Sequence, residues 1–268
     1  MDRFSAKSCW LTFRWMVRSE RSAFLSMFLG LVLGFVFCEE GIMLPAAFDP
    51  NASPQMWGVA LFFSLALGLV WMMYGASRMF VAFKKKQSAI TLLMHPASNI
   101  EKFVARWLCC VVLWGLLTLA AFVLGDALRY GFNIAMGWRG VDTDLPLFFR
   151  AVRGATAFDW YGSRFKEVFL TCFFVMLTVA LHSIYILGSV LLRRHRFLIT
   201  SLFSIAFMVM VEACGDSLNV GMYDMNTDDV AGAVFEFFIL FVVTVLCYWL
   251  SFRLFVRSQI ISNKWLNV

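Results

Sequence analysis

Three ionisable residues stand in or beside long apolar runs, and each could do chemistry. His182 lies near the middle of a run from about 168 to 192, Glu236 near the outer end of another, and Glu212 at the end of a third. An ionisable side chain at membrane depth is costly enough to be a functional suspect by default. His182 could relay a proton, bind substrate or hydrogen-bond a neighbouring helix. Glu236 could serve a transporter or channel, snorkel to the interface or bond a neighbouring helix. Neither has a partner at a spacing that specifies a reaction. The chain has no H-E-x-x-H, no phosphate-binding glycine–lysine loop and no G-x-S-x-G. Its seven cysteines include no C-x-x-C pair and no zinc spacing. The expectation is therefore no catalytic residue, no metal and no cofactor held by this chain.

The other stretch with chemistry in it is Lys84 to Arg106. Ile90, Leu93 and Met94 fall at i, i+3 and i+4, giving a short helix one apolar face. His95-Pro96-Ala97 breaks it. Ser98 and Glu101 then form a capping box, in which the Ser hydroxyl accepts from the Glu101 N–H and the Glu carboxylate reaches back to the Ser98 N–H. An amphipathic turn, a proline stop and a capped restart read as a built surface element.

Composition says what must position these residues. Of 268 residues, 61% are hydrophobic and 15% charged, with mean hydropathy +0.77. A soluble domain carries about 25% charged residues, so the chain reads as one all-α integral membrane domain over 1-268. Its net charge of +6 is then a matter of topology rather than of nucleic-acid binding. The apolar runs predict six transmembrane helices, at about 23-38, 56-77, 103-125, 168-192, 197-214 and 230-252. Glu39 and Glu40 are read as ending the first, and Gly125 the third. The fifth run is short for a bilayer about 30 Å thick. Residues 5-21 predict an amphipathic helix at the interface, with Trp10, Phe13, Met16 and Val17 on one side and Lys7, Arg14, Arg18 and Arg21 on the other. Gly30-x-x-x-Gly34 allows close helix packing. Cys38 and Cys214 lie near predicted outer ends, so a bridge between them stays open.

All but six of the 23 lysines and arginines fall on one side of this layout, and those six sit in the long connection from 126 to 166. Both termini and the 84-106 segment are accordingly expected in the cytosol.

Leu93-Met94-His95-Pro96-Ala97-Ser98-Asn99-Ile100-Glu101-Lys102-Phe103 resembles the Leu-Pro-Ala-Ser-x-x-Glu-Lys-Phe signature of permease subunits of ABC-2-type transporters, particularly Bacteroidetes-like ones. The tail Gln259 to Asn267 is similar to the end of those proteins. His95 stands where the family has an apolar residue. The resemblance implies a multi-pass permease of the bacterial inner membrane, working as an exporter. It would pair with a second permease copy or a homologue and dock separate ATP-binding subunits, which hold ATP and Mg. The coupling element carries over onto Ile90, Leu93, Met94, His95, Pro96, Ala97, Ser98 and Glu101. Two other readings stay open: an ATP-independent secondary transporter or channel using His182 and Glu236, and a membrane scaffold without transport.

Overall fold

The computed structural model describes residues 4–48, 53–81, 86–137, 146, 164–192, 195–217 and 230–257. Among these there is no β-strand; the chain is a series of helices. They are α1 (Ala6–Ser19), α2 (Arg21–Phe48), α3 (Ser53–Ser77), α4 (Lys86–Met94), α5 (Asn99–Ala135), α6 (Arg164–Leu191), α7 (Arg196–Ser217) and α8 (Val230–Arg257). Four of them contain stretches long and apolar enough to cross a bilayer: Arg21–Ile42, Gly58–Ser77, Asn99–Ala135 and Phe237–Arg257. In α6 and α7 the described apolar stretches are shorter, Val175–Leu191 and Arg196–Ala206.

Contacts divide the chain into two compact units, one of Ser5–Met72 with Ala105–Thr171, the other of Met73–Val104 with Cys172–Val268 and the first four residues.

In the first unit the core is a seam between α2 and α5. Leu31, Val32 and Phe35 meet Ala121 and Phe122, with Leu61 of α3 alongside, and Phe35 crosses Phe122 edge-on at 5.5 Å. Gly125 sets the closeness of this crossing, since a Cβ there would fall 2.9 Å from the Phe35 Cβ and 3.4 Å from the Val32 carbonyl oxygen. The predicted Gly30-x-x-x-Gly34 pair does not play that part. A Cβ on Gly30 would meet nothing within 4 Å, and one on Gly34 only the Leu67 Cδ2 at 3.5 Å.

The outer faces invert the order of a soluble protein. Leu25, Leu29, Leu33 and Phe37 recur every four residues along α2, all exposed, while Glu39, Ser64, Asp126 and Arg129 are buried. In water such a surface would drive association. Against lipid it is what a spanning segment requires, with polar groups turned inward.

Two helices run on past the expected ends of their spans. Helix α2 runs on past Glu39 and Glu40 to Phe48, and α5 continues past Gly125 to Ala135. Hydropathy marks charge as the edge of a span, but here the charges neutralise one another inside the bundle, so the helices need not stop. With 37 residues, α5 is about 55 Å long, well beyond the roughly 30 Å of hydrocarbon. Arg129, counted above with the long connection, is buried in this helix; Trp138, Phe148, Phe149, Trp160 and Tyr161 of that connection lie outside the described residues.

Helix α1 also differs in its facing. Met16 joins Cys9 and Thr12 in a buried stripe, and α1 touches the Cys109–Leu113 segment of α5. Trp10, expected beside Met16, is exposed and stacks on Phe13 at 5.3 Å. Glu20, just beyond α1, pairs with the buried Arg106 of α5. Cys38 is a free thiol; the side chain of Cys214 lies outside the described ones.

In the second unit, α6 and α7 are joined through His195, whose φ of 50° lies in the left-handed region that histidine enters more readily than most residues. The helices then pack closely: a Cβ on Gly188 would collide with the Thr200 side chain. Tyr185 ties the pair together, its hydroxyl 2.8 Å from the Ser201 hydroxyl and its ring against Phe197 at 5.6 Å.

Candidate functional site

Both halves of the capping box at Ser98 are formed. The Glu101 N–H donates to the Ser98 Oγ at 3.3 Å, and the Ser98 N–H donates to the Glu101 carboxylate at 2.9 Å. Before it, the Ala97 N–H donates to the His95 carbonyl at 2.8 Å, closing a three-residue turn over Pro96. Proline suits the centre of that turn because its φ is already near the value required. Thus α4 stops, the chain turns between Met94 and Ser98, and α5 begins with the Ser98 and Glu101 N–H groups satisfied.

An aromatic cluster fixes this restart. Phe103, on the first turns of α5, lies 5.4 Å from Phe252 and 6.1 Å from Phe255 of α8. Phe80 packs on Phe255 at 5.2 Å and on Phe103 at 6.1 Å. The segment is therefore seated on a hydrophobic base. What it presents outward is Met94, 78% exposed, with Pro96, Asn99 and Ile100 also exposed. The expected apolar face is redistributed. Leu92 is the buried residue of α4 and Ile90 is half-buried; the side chain of Leu93 lies outside the described ones. His95 is half-buried, and burial, then the nearby Lys102 ammonium, hold its imidazole below the ordinary range.

Ser98→Ala removes one half of the box. It is expected to cost about 1 kcal/mol, read as a lower melting temperature of the purified protein in detergent, with Ser98→Asp near wild type. Equal melting of wild type and Ser98→Ala would show that the cap is not needed to start α5.

A second polar group was not foreseen. Along α5 the buried residues include Thr118, Phe122, Gly125, Asp126, Arg129 and Asn133, a stripe of helical period that turns from apolar to ionic at Asp126. Arg129 lies at its centre. Its Nη2 is 2.8 Å from the Asp126 Oδ1, and its Nε is 3.3 Å from the Glu39 Oε2 of α2. The other Glu39 oxygen accepts the Ser64 hydroxyl of α3 at 3.0 Å. The side chains of all three charged residues are 0% exposed. Three helices of the first unit thus converge on one guanidinium. The signal was present as Asp126-x-x-Arg129-x-x-x-Asn133, which places all three on one helical face, but the charges were read as the start of a loop.

Between the capped start of α5 and this ionic group lies a π-helical turn, Cys109–Leu113. The Trp114 backbone N–H bonds the Cys109 carbonyl, five residues back. Beyond it the Trp114 indole N–H donates to the Trp71 carbonyl at 2.9 Å, and its ring stacks on Trp71 at 6.2 Å. Such wide turns recur at functional positions in helices.

His182 is buried, and its Nδ1 lies 3.4 Å from the Tyr248 hydroxyl of α8. This is the interhelical contact that was one of its three expected roles. The side chain of Glu236 lies outside the described residues. Among the described residues no group of three or more His, Cys, Asp or Glu side chains could hold a metal ion.

Inward charge, outward leucine and phenylalanine, and four helices of spanning length define a helical multi-pass membrane protein. Beyond that class, no family model matches the chain, no curated protein is similar to it, and no solved structure matches its fold.

Proposed function

We propose that this chain is the transmembrane permease subunit of an ATP-driven transporter of the ABC-2 type, an exporter whose ATPase is a separate polypeptide. The observation that carries the reading is the Met94–Phe103 element: a tight turn with an exposed methionine, rooted on phenylalanines, that opens directly into the longest of the described helices. A soluble partner pressing on Met94 and Ile100 would push on a capped helix rather than on slack chain. A capped helix transmits such a push. In this reading α6 and α7 also span, giving six spans with both termini in the cytosol of a bacterial inner membrane. A second permease copy completes the assembly, and ATP and Mg reside on the partner.

The test is purification from native membranes in gentle detergent after crosslinking, which should bring an ATP-binding subunit with the chain. Repeated failure to recover one ends the proposal. In the reconstituted complex, Met94→Asp should lower permease-stimulated ATP turnover more than about tenfold, the scale of losing an anchor at an interface. Because Met94 is exposed, insertion and melting temperature should stay at wild-type values. Undiminished turnover would remove the coupling role.

The buried Glu39–Arg129–Asp126 group favours one rival, an ATP-independent carrier. Proton- or ion-driven flux by the chain alone in liposomes would support that rival and count against the permease.

A further inference from the structure

Helix α1 spends its apolar side inside the protein and turns its charge outward. Cys9, Thr12 and Met16 form the buried stripe, and α1 lies against the Cys109–Leu113 turn of α5. The side that an interfacial helix would sink into lipid is therefore taken up by α5. On the opposite face Lys7, Trp10, Leu11, Arg14 and Arg18 fall at i, i+3, i+4, i+7 and i+11, one stripe of helical period, and all five are exposed. Arg21, also exposed, follows at the start of α2. From Phe4 to Arg21 the sequence holds one acid, Glu20, and its carboxylate pairs with Arg106. Among the described residues no carboxylate pairs with Lys7, Arg14, Arg18 or Arg21. These cations stand unneutralised around an exposed tryptophan and leucine.

Position says what lies in front of this face. Helix α1 ends at Ser19, and the spanning stretch begins at Arg21. Glu20, between them, is anchored to Arg106, and the outward leucines of α2 begin at Leu25. The helix is thereby held at the margin of the hydrocarbon, where phospholipid headgroups lie. Charged heads on long stems and an indole ring both suit that depth. We propose that the outward face of α1 binds anionic phospholipid headgroups. Lys7, Arg14, Arg18 and Arg21 meet the phosphates, while Trp10 and Leu11 enter the boundary between headgroups and acyl chains. Arg14 and Arg18, one turn apart, offer the forked donors that phosphate takes bidentately. An acidic protein surface would answer the charges alone; the place beside the span, with Trp10 and Leu11 set among them, favours lipid. The inference holds whether or not the chain is a permease.

The test is photo-crosslinking of the full chain in nanodiscs of phosphatidylcholine and phosphatidylglycerol. One probe is a phosphatidylglycerol with a diazirine on its headgroup, the other a matched phosphatidylcholine, and mass spectrometry of the digested chain locates the label. The phosphatidylglycerol probe should mark residues 7–18 about fivefold more than the other, the scale of one cation meeting one anionic headgroup. Raised salt should erase the difference. Lys7→Gln with Arg14→Gln and Arg18→Gln should bring the labelling down to the phosphatidylcholine level. All three side chains are exposed, so the melting temperature should stay that of wild type. Arg14→Lys with Arg18→Lys keeps the charge and should keep the preference. Unlabelled phosphatidylglycerol should compete, and inorganic phosphate at constant ionic strength should not. Equal labelling by the two probes, an undiminished preference in the glutamine variant, or competition by inorganic phosphate overturns the proposal. So does a native membrane in which the probe fails to reach α1 while a carbodiimide joins Lys7 to an acidic side chain of another protein, which would make the face a protein-docking surface.

Discussion

Arg129→Ala is expected to be among the most damaging single changes in this protein. The substitution leaves Glu39 and Asp126 buried with their shared cation removed. Taking away one partner of a buried ionic group costs roughly 3–5 kcal/mol, because the remaining charge is neither solvated nor paired. That corresponds to a melting temperature lower on the order of 10 °C for a chain of this size. Arg129→Lys should recover only part of the loss. An ammonium is a point charge and cannot hold two carboxylates through separate nitrogens, as the guanidinium does with Nη2 toward Asp126 and Nε toward Glu39. The decisive comparison is Arg129→Gln with Glu39→Gln and Asp126→Asn in one chain. Neutral at every position, it should melt well above Arg129→Ala, as buried ionic groups often tolerate joint replacement. A single Arg129→Ala chain that melts like wild type would mean that the pairs contribute nothing to the fold.

The same residues explain where sequence reading succeeded and failed. The Ser98–Glu101 box was legible because both partners lie within four residues and the geometry is local; its two hydrogen bonds are present as expected. The seat of that segment was not legible. Phe103 meets Phe252 and Phe255, about 150 residues further along a chain with 30 phenylalanines, and nothing local singles out that pairing. At Glu39 and Asp126 the failure has a different cause. A hydropathy reading assigns each charge its full cost of burial, although the cost falls once a partner on another helix is in place. Spacing held the better clue. Asp126, Arg129 and Asn133 continue the stripe of Thr118, Phe122 and Gly125, while Leu116, Leu119, Val123, Leu128 and Phe132 are exposed. In a bilayer the buried face of a helix can be its polar one, so amphipathic period is informative even where mean hydropathy falls.

Glycine makes the same point about spacing, and it supplies the second large effect. Gly125→Val is expected to prevent α2 and α5 from reaching their native separation. A Cβ at this position already falls 2.9 Å from the Phe35 Cβ, and the next atom it meets is the Val32 backbone oxygen at 3.4 Å. Neither is the far end of a flexible side chain, so the helix axes themselves must part. Overpacking of a core typically costs 1–3 kcal/mol, and the displacement reaches the adjacent residue, Asp126, whose hold on Arg129 depends on the same helix spacing. Gly125→Val should therefore yield mostly aggregated protein on fluorescence-detected gel filtration, and Gly125→Ala a folded chain of reduced melting temperature. Gly30→Ala is the control, since its methyl group meets nothing within 4 Å in the chain. It should leave elution and melting unchanged. If Gly30→Ala is damaging and Gly125→Ala harmless, the close crossing is not at Gly125, and the arrangement of α2 against α5 that brings Glu39 to Arg129 would have to be drawn again.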